Sequence, residues 1–476
     1  MITFFRKIKE KNEFLFFINK IVIIMLYNDC IIMGTNVLQG GIMLPTTTKV
    51  APGLTLSCIR THKFKTGILS FTIPFSLSRE HLIYNSLLPG VLRQGTERCP
   101  TMAALNRRLD ELYATCVELR SQRLGKNLTL TLGAELLDDE YAPEGANILE
   151  GVLTLIHEIL FRPKLEDGLF RKKAVDQEIR FATDSIRGEI NNTRGYSIIR
   201  LGELMHREDP DFLTLKELEA GIQRVDPGTL TDFYRSCVLS APVQVFYVGS
   251  MEEERVAALL RRIFADVGGK EYIPLLPEAR KASPLHEVTE AMPVAQGKLA
   301  MGFRTGVCMS REGDRTPAML LFNEIFGGSP ISKLFMNVRE RMNLCYYCSS
   351  AYNRYSGILS VSSGIDSKNV EVVKSAVLEQ LEEIREGRIT EAEFDAAKKS
   401  LENYCRTMDD NPSDLQAFYS SRAFFGISET PEDYLDRLLS VTLEEVVEVA
   451  NMIELDTVYF IEGTKQSAEQ EGEDDE

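Results

Sequence analysis

The chain has 476 residues, of which 44% are hydrophobic and 26% are charged, and its formal net charge is −16. At roughly 100 to 200 residues per domain, this length predicts two to four domains. The balance of apolar and charged residues is typical of a folded globular chain rather than a disordered one. The acidic balance excludes a broad nucleic-acid-binding surface, because such surfaces bind phosphates through clustered Lys and Arg. The nine cysteines lack the spacing of a disulfide framework, which favours reduced thiols and a cytoplasmic location.

Residues 1–42 precede the first predicted globular element. Their apolar run, 14–27, contains Lys20 and is shorter than the roughly 20 residues that span a bilayer, so we expect no stable membrane insertion. Basic residues before the run are typical of a signal peptide, but no small-residue cleavage site follows promptly. We therefore interpret residues 1–42 as a non-native or disordered leader and Met43 as the true start. The acidic segment 466–476 predicts a disordered tail.

The first predicted globular unit covers residues 43–267 and mixes strands with helices. Segment 67–75 is rich in β-branched and aromatic residues, which favours a strand. A second apolar strand begins at Val243 and ends at Gly249. The other predicted elements are a hairpin of strands 116–123 and 127–136, and helices over 82–92, 103–113, 146–160, 168–191 and 252–264.

Segment 268–293 combines four prolines with glycines and mixed charge, a composition typical of a connector. After it, over residues 294–465, the order of elements repeats. A strand that begins at Gly297 and one that ends at Gly463 correspond to the two strands of the first unit named above. A repeat of this length predicts a duplicated domain rather than a solenoid, whose repeats run about 20 to 50 residues. The predicted fold class is α+β, with two homologous lobes that each cover an antiparallel-rich sheet with helices.

Two duplicated lobes joined by a connector resemble the layout of the pitrilysin/insulinase-like zinc metallopeptidases, which implies ferredoxin-like metallopeptidase lobes. In that family an inverted HxxEH motif runs into an apolar turn and then Gly-Thr-Glu, a pattern that segment 87–112 resembles at residues 95–97. In this register the first metal-binding histidine falls on Ser86, the catalytic glutamate on Pro89 and the second histidine on Gly90. Zinc hydrolysis needs imidazoles to hold the ion and a carboxylate to take a proton from the bound water. None of the three residues supplies these groups.

Two further stretches resemble family segments that face the zinc. Segment 170–184 resembles the helix whose glutamate completes the zinc site, and Glu178 takes that position; the alternative is a solvated or salt-bridged helical glutamate. Segment 329–350 resembles the second-lobe pattern in which an arginine and a tyrosine lie opposite the zinc, and Arg339 and Tyr346 match these positions. A guanidinium can anchor a substrate carbonyl or carboxylate, and a phenol can donate to a developing oxyanion. The alternative is a surface arginine and a core tyrosine.

In two-chain members of this family, one subunit bears HxxEH and the other bears the arginine and the tyrosine. The resemblance therefore implies the non-zinc, substrate-binding subunit of a bacterial heterodimeric peptidase that degrades or processes peptides. It implies no cofactor in this chain, and zinc in an HxxEH-bearing homologous partner. The alternative is a catalytically inactive structural or peptide-binding protein of the same fold. The lone CxxC pair, Cys345 and Cys348, supplies only two of the four ligands that a structural zinc needs.

Overall fold

The computed structural model describes residues 44–464. The predicted leader, 1–42, and the predicted acidic tail, 466–476, lie outside the described residues. Within the described range, strands and helices are mixed in both halves of the chain, and the helices cover two large sheets. The predicted α+β fold class is therefore confirmed.

Strands form where β-branched and aromatic side chains concentrate. The central strand of the first sheet, from Thr66 to Ser76, is buried along almost its whole length, because both faces of the sheet are covered at this point. The strands are β1 Thr46–Ala51, β2 Leu54–Arg60, β3 Thr66–Ser76, β4 Cys116–Leu124, β5 Asn127–Leu137, β6 Leu165–Glu166, β7 Leu169–Phe170, β8 Val243–Gly249, β9 His286–Met292, β10 Gly297–Arg304, β11 Cys345–Asn353, β12 Ile358–Ile365 and β13 Glu454–Gly463.

Polar capping residues fix the starts of many helices, because their side-chain oxygens accept hydrogen bonds from the first free backbone N–H groups. Thr214, Thr390, Thr430 and Thr442 each form a reciprocal capping box with the residue three positions later. The α-helices are α1 Arg79–Leu92, α2 Met102–Glu111, α3 Ile148–Phe161, α4 Lys172–Gly188, α5 Thr193–Met205, α6 Leu215–Ile222, α7 Pro227–Phe233, α8 Glu253–Ile263, α9 Thr316–Asn323, α10 Val370–Arg385, α11 Glu391–Thr407, α12 Pro412–Phe424, α13 Pro431–Ser440 and α14 Leu443–Asn451.

The two large sheets share one strand order. The first runs β1-β2-β8-β3-β5-β4, and the second, taken from the corresponding edge, runs β9-β13-β10-β12-β11. The pairs β2–β8 and β9–β13 are parallel, and the remaining pairs in both sheets are antiparallel. Each strand of the second sheet has a counterpart in the first, where β1 is an addition. This correspondence confirms the prediction of two homologous lobes.

The segment predicted to be a connector, 268–293, contains one strand. Residues 268–285 form no helix or strand, whereas β9 pairs in parallel with β13 at the edge of the second sheet. Side chains of β9 alternate between half-buried and exposed, a pattern typical of an edge strand with one covered face. The second sheet therefore begins inside this segment rather than after it.

The lobes exchange helices. From the first half of the chain, α5 packs on β10 and β13 of the second sheet, where Leu201 and Met205 join a buried cluster with Ala300. From the second half, α12 packs on β3 and β8 of the first sheet, and the Tyr419 ring stacks on Phe246 with centroids 6.3 Å apart. Each sheet is thus covered on one face by a helix that belongs to the other lobe.

A buried ion pair lies where α5 meets the second sheet. Arg304 on β10 and Asp456 on β13 are 5% and 0% exposed, and the guanidinium Nε lies 3.3 Å from the Asp456 Oδ2. The same guanidinium donates to the backbone carbonyl of Met205 at the end of α5, and Asp456 Oδ2 accepts a hydrogen bond of 3.1 Å from the Ser283 backbone N–H. The pair therefore joins helix α5 of the first lobe and the connector to the second sheet.

Candidate functional site

Helix α1 carries the three positions that the sequence resemblance predicts for the zinc motif. It begins at Ser78, whose side chain accepts a hydrogen bond from the His81 backbone N–H, and it continues through Pro89. Ser86, Pro89 and Gly90 share one face because they are spaced by three and four residues. The Ser86 hydroxyl donates to the carbonyl of Ile83 at 2.7 Å, so it is engaged within its own helix.

Helix α4 packs against α1 and places Glu178 next to Gly90. A side-chain Cβ at position 90 would overlap the Glu178 carboxyl group and would lie 3.1 Å from its Cγ. Gln94 Nε2 donates a hydrogen bond of 2.6 Å to Glu178 Oε1. Burial raises the pKa of Glu178, and this effect outweighs the opposing effects of Gln94 and Arg93. The carboxyl group therefore occupies the space into which a histidine at position 90 would extend.

This donor set does not fit zinc. Serine is a poor zinc ligand, and proline and glycine have no side-chain donor, so Glu178 is the single carboxylate of the four positions. Among residues 44–464, no group of three or more His, Cys, Asp or Glu residues is arranged to hold a metal ion. The structure brings the four positions together on α1 and α4, but without the groups that would bind and activate water.

The second candidate element is a π-helix, Leu334–Arg341, followed by β11. The chain turns between them at Asn343, whose φ of 50° lies in the left-handed region that asparagine tolerates better than most residues. At the start of β11, Cys345 pairs with Ile365 and Tyr347 pairs with Gly364, so Tyr346 is the extra residue of a β-bulge. Bulges redirect side chains, and Tyr346 is 71% exposed. The alternative of a core tyrosine is therefore wrong.

Arg339 lies on the π-helix that packs against β11. Its guanidinium carbon lies 4.5 Å from the centroid of the Phe335 ring, and its Nε is 3.6 Å from Glu340 Oε1. The side chain is 38% exposed, so part of the planar guanidinium, with its N–H donors, is accessible to solvent. Stacking on Phe335 restricts the side chain without using its hydrogen bonds, so the guanidinium can still bind a carboxylate or carbonyl.

The CxxC pair lies on β11 behind the bulge. Cys345 and Cys348 are both buried and interact through their thiols, and the hydrogen bond from Cys348 lowers the pKa of Cys345 despite its burial. Arg339 acts on Cys345 in the same direction through its charge. These two thiols belong to the packed face of β11, whereas Tyr346 faces solvent.

Duplicated lobes of one strand order, exchanged helices and the lack of a metal-binding group among residues 44–464 define the class: a metallopeptidase-like protein without a metal site in this range. Comparisons with known proteins agree. The family model described as "Peptidase M16 inactive domain" matches residues 224–401. The chain is 31% identical over 414 residues to the "Probable inactive metalloprotease YmfF" of Bacillus subtilis, which covers 87% of this chain and 96% of that protein. It is 24% identical over 170 residues to the "Uncharacterized zinc protease YmxG" of the same organism, or 35% of this chain and 41% of that protein.

Solved structures share the fold. A conserved protein from Enterococcus faecalis superposes with a TM-score of 0.81 at 25% identity and covers 89% of this chain and 100% of its own. A peptidase M16 inactive domain from Pseudomonas fluorescens gives 0.71 at 15% identity, with 89% and 100% covered. The chain belongs to the M16 peptidase family, which is the pitrilysin/insulinase-like family, and it is a homologue of the inactive type. No helix within residues 44–464 is long and apolar enough to cross a membrane.

Proposed function

We propose that this chain is the non-zinc, substrate-binding subunit of a heterodimeric M16 peptidase. A homologous subunit with an intact HxxEH motif supplies the zinc and the general base. In this chain, Arg339 and Tyr346 bind the peptide and stabilise the transition state. The single observation that carries the proposal is the exposure of Tyr346 at a β-bulge, in a chain whose own zinc positions are lost.

The loss of the zinc ligands argues that this chain does not hydrolyse peptides alone. With glycine at position 90 and proline at position 89, α1 has neither the second imidazole nor the carboxylate that accepts the proton of the attacking water. The carboxyl group of Glu178 fills the space that a side chain at position 90 would occupy. Any peptidase activity therefore depends on a metal centre in another subunit.

The second-lobe residues keep the chemistry that such a partner would need. The exposed phenol of Tyr346 can donate to the oxyanion that develops on the scissile carbonyl, and donors of this kind contribute about 10²- to 10³-fold in kcat. The partly exposed guanidinium of Arg339 can bind a peptide carbonyl or carboxylate. Arg339 lies on the π-helix and Tyr346 on the strand that follows it, so the two groups belong to adjoining elements of the second lobe.

We also expect a cytoplasmic location. The eight cysteines within residues 44–464 are all free thiols, including the adjacent pair on β11, which is typical of a reducing compartment. The substrate in this proposal is an unstructured peptide, because the proposed groups recognise backbone carbonyls and carboxylates rather than a particular side chain.

The proposal is tested by mixing the purified chain with the HxxEH-bearing M16 homologue of the same organism and following cleavage of a fluorogenic unstructured peptide. We expect cleavage by the mixture, and a loss of about 10²-fold in kcat with Tyr346→Phe. Arg339→Ala should mainly raise KM. Arg341→Ala, at an exposed position of the same π-helix, and Tyr141→Phe, an exposed tyrosine of the other lobe, are matched controls.

The alternative, a structural or peptide-binding protein without a part in catalysis, predicts a different outcome. Complex formation by analytical ultracentrifugation would then be retained, while turnover would be the same in Tyr346→Phe, Arg339→Ala and the two controls. That result would reject the roles of both residues. An absence of any complex with the HxxEH-bearing homologue would reject the subunit proposal itself.

A further inference from the structure

A cysteine and a histidine that are 156 residues apart in sequence meet at the start of α1. The Cys237 Sγ lies 3.6 Å from the His81 Nε2. His81 belongs to the first turn of α1, and Cys237 lies on a π-helical segment, Tyr234–Val238, that continues α7. Both side chains are half-buried, so solvent and small molecules can reach them. Neither residue contributes to the proposed peptidase function.

The imidazole of His81 is held in one orientation. Its Nδ1 lies 2.8 Å from the backbone carbonyl oxygen of Ser76, which can only accept, so Nδ1 carries a proton and donates it. The ring packs edge-on against Phe75, with ring centroids 6.0 Å apart. It also contacts Phe233, with ring centroids 5.4 Å apart. The other nitrogen, Nε2, therefore faces the sulfur. A nucleophile, a base and a group that orients the base are the parts that activate a thiol.

The local charges favour a thiolate and an imidazolium. The hydrogen bond with Cys237 is the main cause that raises the pKa of His81. Burial by itself would raise the pKa of Cys237, but hydrogen bonding with His81 and with Ser236, whose Oγ is 3.7 Å from the sulfur, lowers it overall. Glu80, on the same helix, favours the imidazolium and disfavours the thiolate. Among the charged groups that act on the pair, Glu80 is the one that opposes thiolate formation, and it does not reverse the balance.

We propose that Cys237 is a reactive thiolate, activated by His81, and that it is a site of modification by hydroperoxides and other soft electrophiles. The thiolate sulfur attacks the terminal oxygen of a hydroperoxide. A sulfur–oxygen bond forms as the oxygen–oxygen bond breaks, and the departing oxygen leaves with the electron pair of that bond.

The proton on His81 Nε2 then neutralises the departing hydroxide or alkoxide. Cys237 is oxidised to a sulfenic acid, and the hydroperoxide is reduced to water or an alcohol. His81 therefore has two functions: it stabilises the thiolate before the attack and protonates the leaving group after it. A subsequent thiol can condense with the sulfenic acid to a mixed disulfide and water.

Other cysteines of the chain provide internal references. Burial raises the pKa of Cys58 and of Cys308 to about 12, so both remain thiols at neutral pH. Cys116 is exposed at the first position of β4 and is the matched control for accessibility. If exposure alone decided reactivity, Cys116 would react before Cys237.

The experiment measures the rate of iodoacetamide modification at each cysteine of the full-length native protein by peptide-resolved mass spectrometry between pH 5.5 and 9.5. At pH 6.5 an ordinary thiol is only about 1% ionised, and we expect Cys237 to react at least about tenfold faster than Cys116. Near pH 9.5 ordinary thiols are also ionised, so the advantage of Cys237 should disappear. Dimedone labelling after one equivalent of hydrogen peroxide should mark Cys237 before Cys116.

His81→Gln keeps a polar side chain of similar size but cannot become a cation. We expect it to abolish the advantage of Cys237 at pH 6.5 and to shift its rate profile upward by more than one pH unit. A Cys237 that reacts no faster than Cys116 at pH 6.5 in the unmodified protein would overturn the proposal, whatever the fate of the variant. An unchanged profile in folded His81→Gln, checked by circular dichroism, would overturn the role of the histidine.

Discussion

The contact between α5 and the second sheet depends on the ion pair of Arg304 and Asp456, and Asp456→Ala should destabilise the protein strongly. The substitution leaves the guanidinium, 5% exposed, without its carboxylate. It also removes the acceptor of the Ser283 backbone N–H and of the Thr457 hydroxyl. Removing one partner of a buried pair typically costs about 3 to 5 kcal/mol, so we expect a loss of this size in the free energy of unfolding.

Equilibrium urea denaturation followed by circular dichroism measures this loss. The matched control is Asp410→Ala, which removes an exposed ion pair between Asp410, 71% exposed, and Lys63, 43% exposed. This substitution should cost at most about 1 kcal/mol. Replacing both buried partners, as in Arg304→Met with Asp456→Leu, should cost less than Asp456→Ala alone, because no buried charge is then left unpaired. A loss below about 1 kcal/mol for Asp456→Ala, or a larger loss for the double variant, would refute the reasoning.

The dependence of the free energy of unfolding on pH independently tests the contribution of Asp456. Burial by itself would raise the pKa of Asp456, but hydrogen bonds from Thr457 and Ser283 and the charge of Arg304 lower it overall. A carboxyl with a lowered pKa contributes stability that is fully present above its unfolded value, about 3.9, and is lost as the pH falls through the folded value. The unmodified protein should therefore lose more stability than Asp456→Ala below about pH 4.

Two further predictions concern the absence of zinc ligands on α1 and the packing of α5 on β10. The purified protein should contain less than about 0.1 equivalent of zinc by inductively coupled plasma mass spectrometry, because α1 offers no ligand at two of its three motif positions; stoichiometric zinc would contradict the assignment of the motif. Gly302→Val should lower the melting temperature, since a Cβ there would overlap the Met205 sulfur and lie 3.1 Å from Leu201 Cδ1. The control Gly133→Ala, where a Cβ meets nothing within 4 Å, should change it little.

The sequence predicts the lobes well because their signals are local. Runs of β-branched residues that end at Gly249 and Gly463 mark β8 and β13, and both strands lie where these runs predict them. The register set by residues 95–97 assigns Gly90 to the second histidine, and the resemblance of segment 170–184 assigns Glu178 to the helical carboxylate. In the structure, the Glu178 side chain lies directly beside Gly90.

Contacts between distant segments have no such signal. No sequence pattern predicts that the sheet covered by α5, or the sheet covered by α12, belongs to the other lobe. The bulge at Tyr346 shifts pairing by one residue and reverses the exposure that strand alternation would predict. Cys237 and His81 meet only because α7 and α1 pack together. Each of these outcomes depends on shape complementarity in three dimensions rather than on periodicity.

The exchange of α5 and α12 has a consequence for how the protein is assembled and how it moves. A polypeptide cut within the connector would leave each half with a bare sheet face and a helix that has nothing of its own to cover. Neither half is therefore a self-sufficient folding unit. Any motion that separated the two lobes would have to remove α5 and α12 from the sheets that they cover.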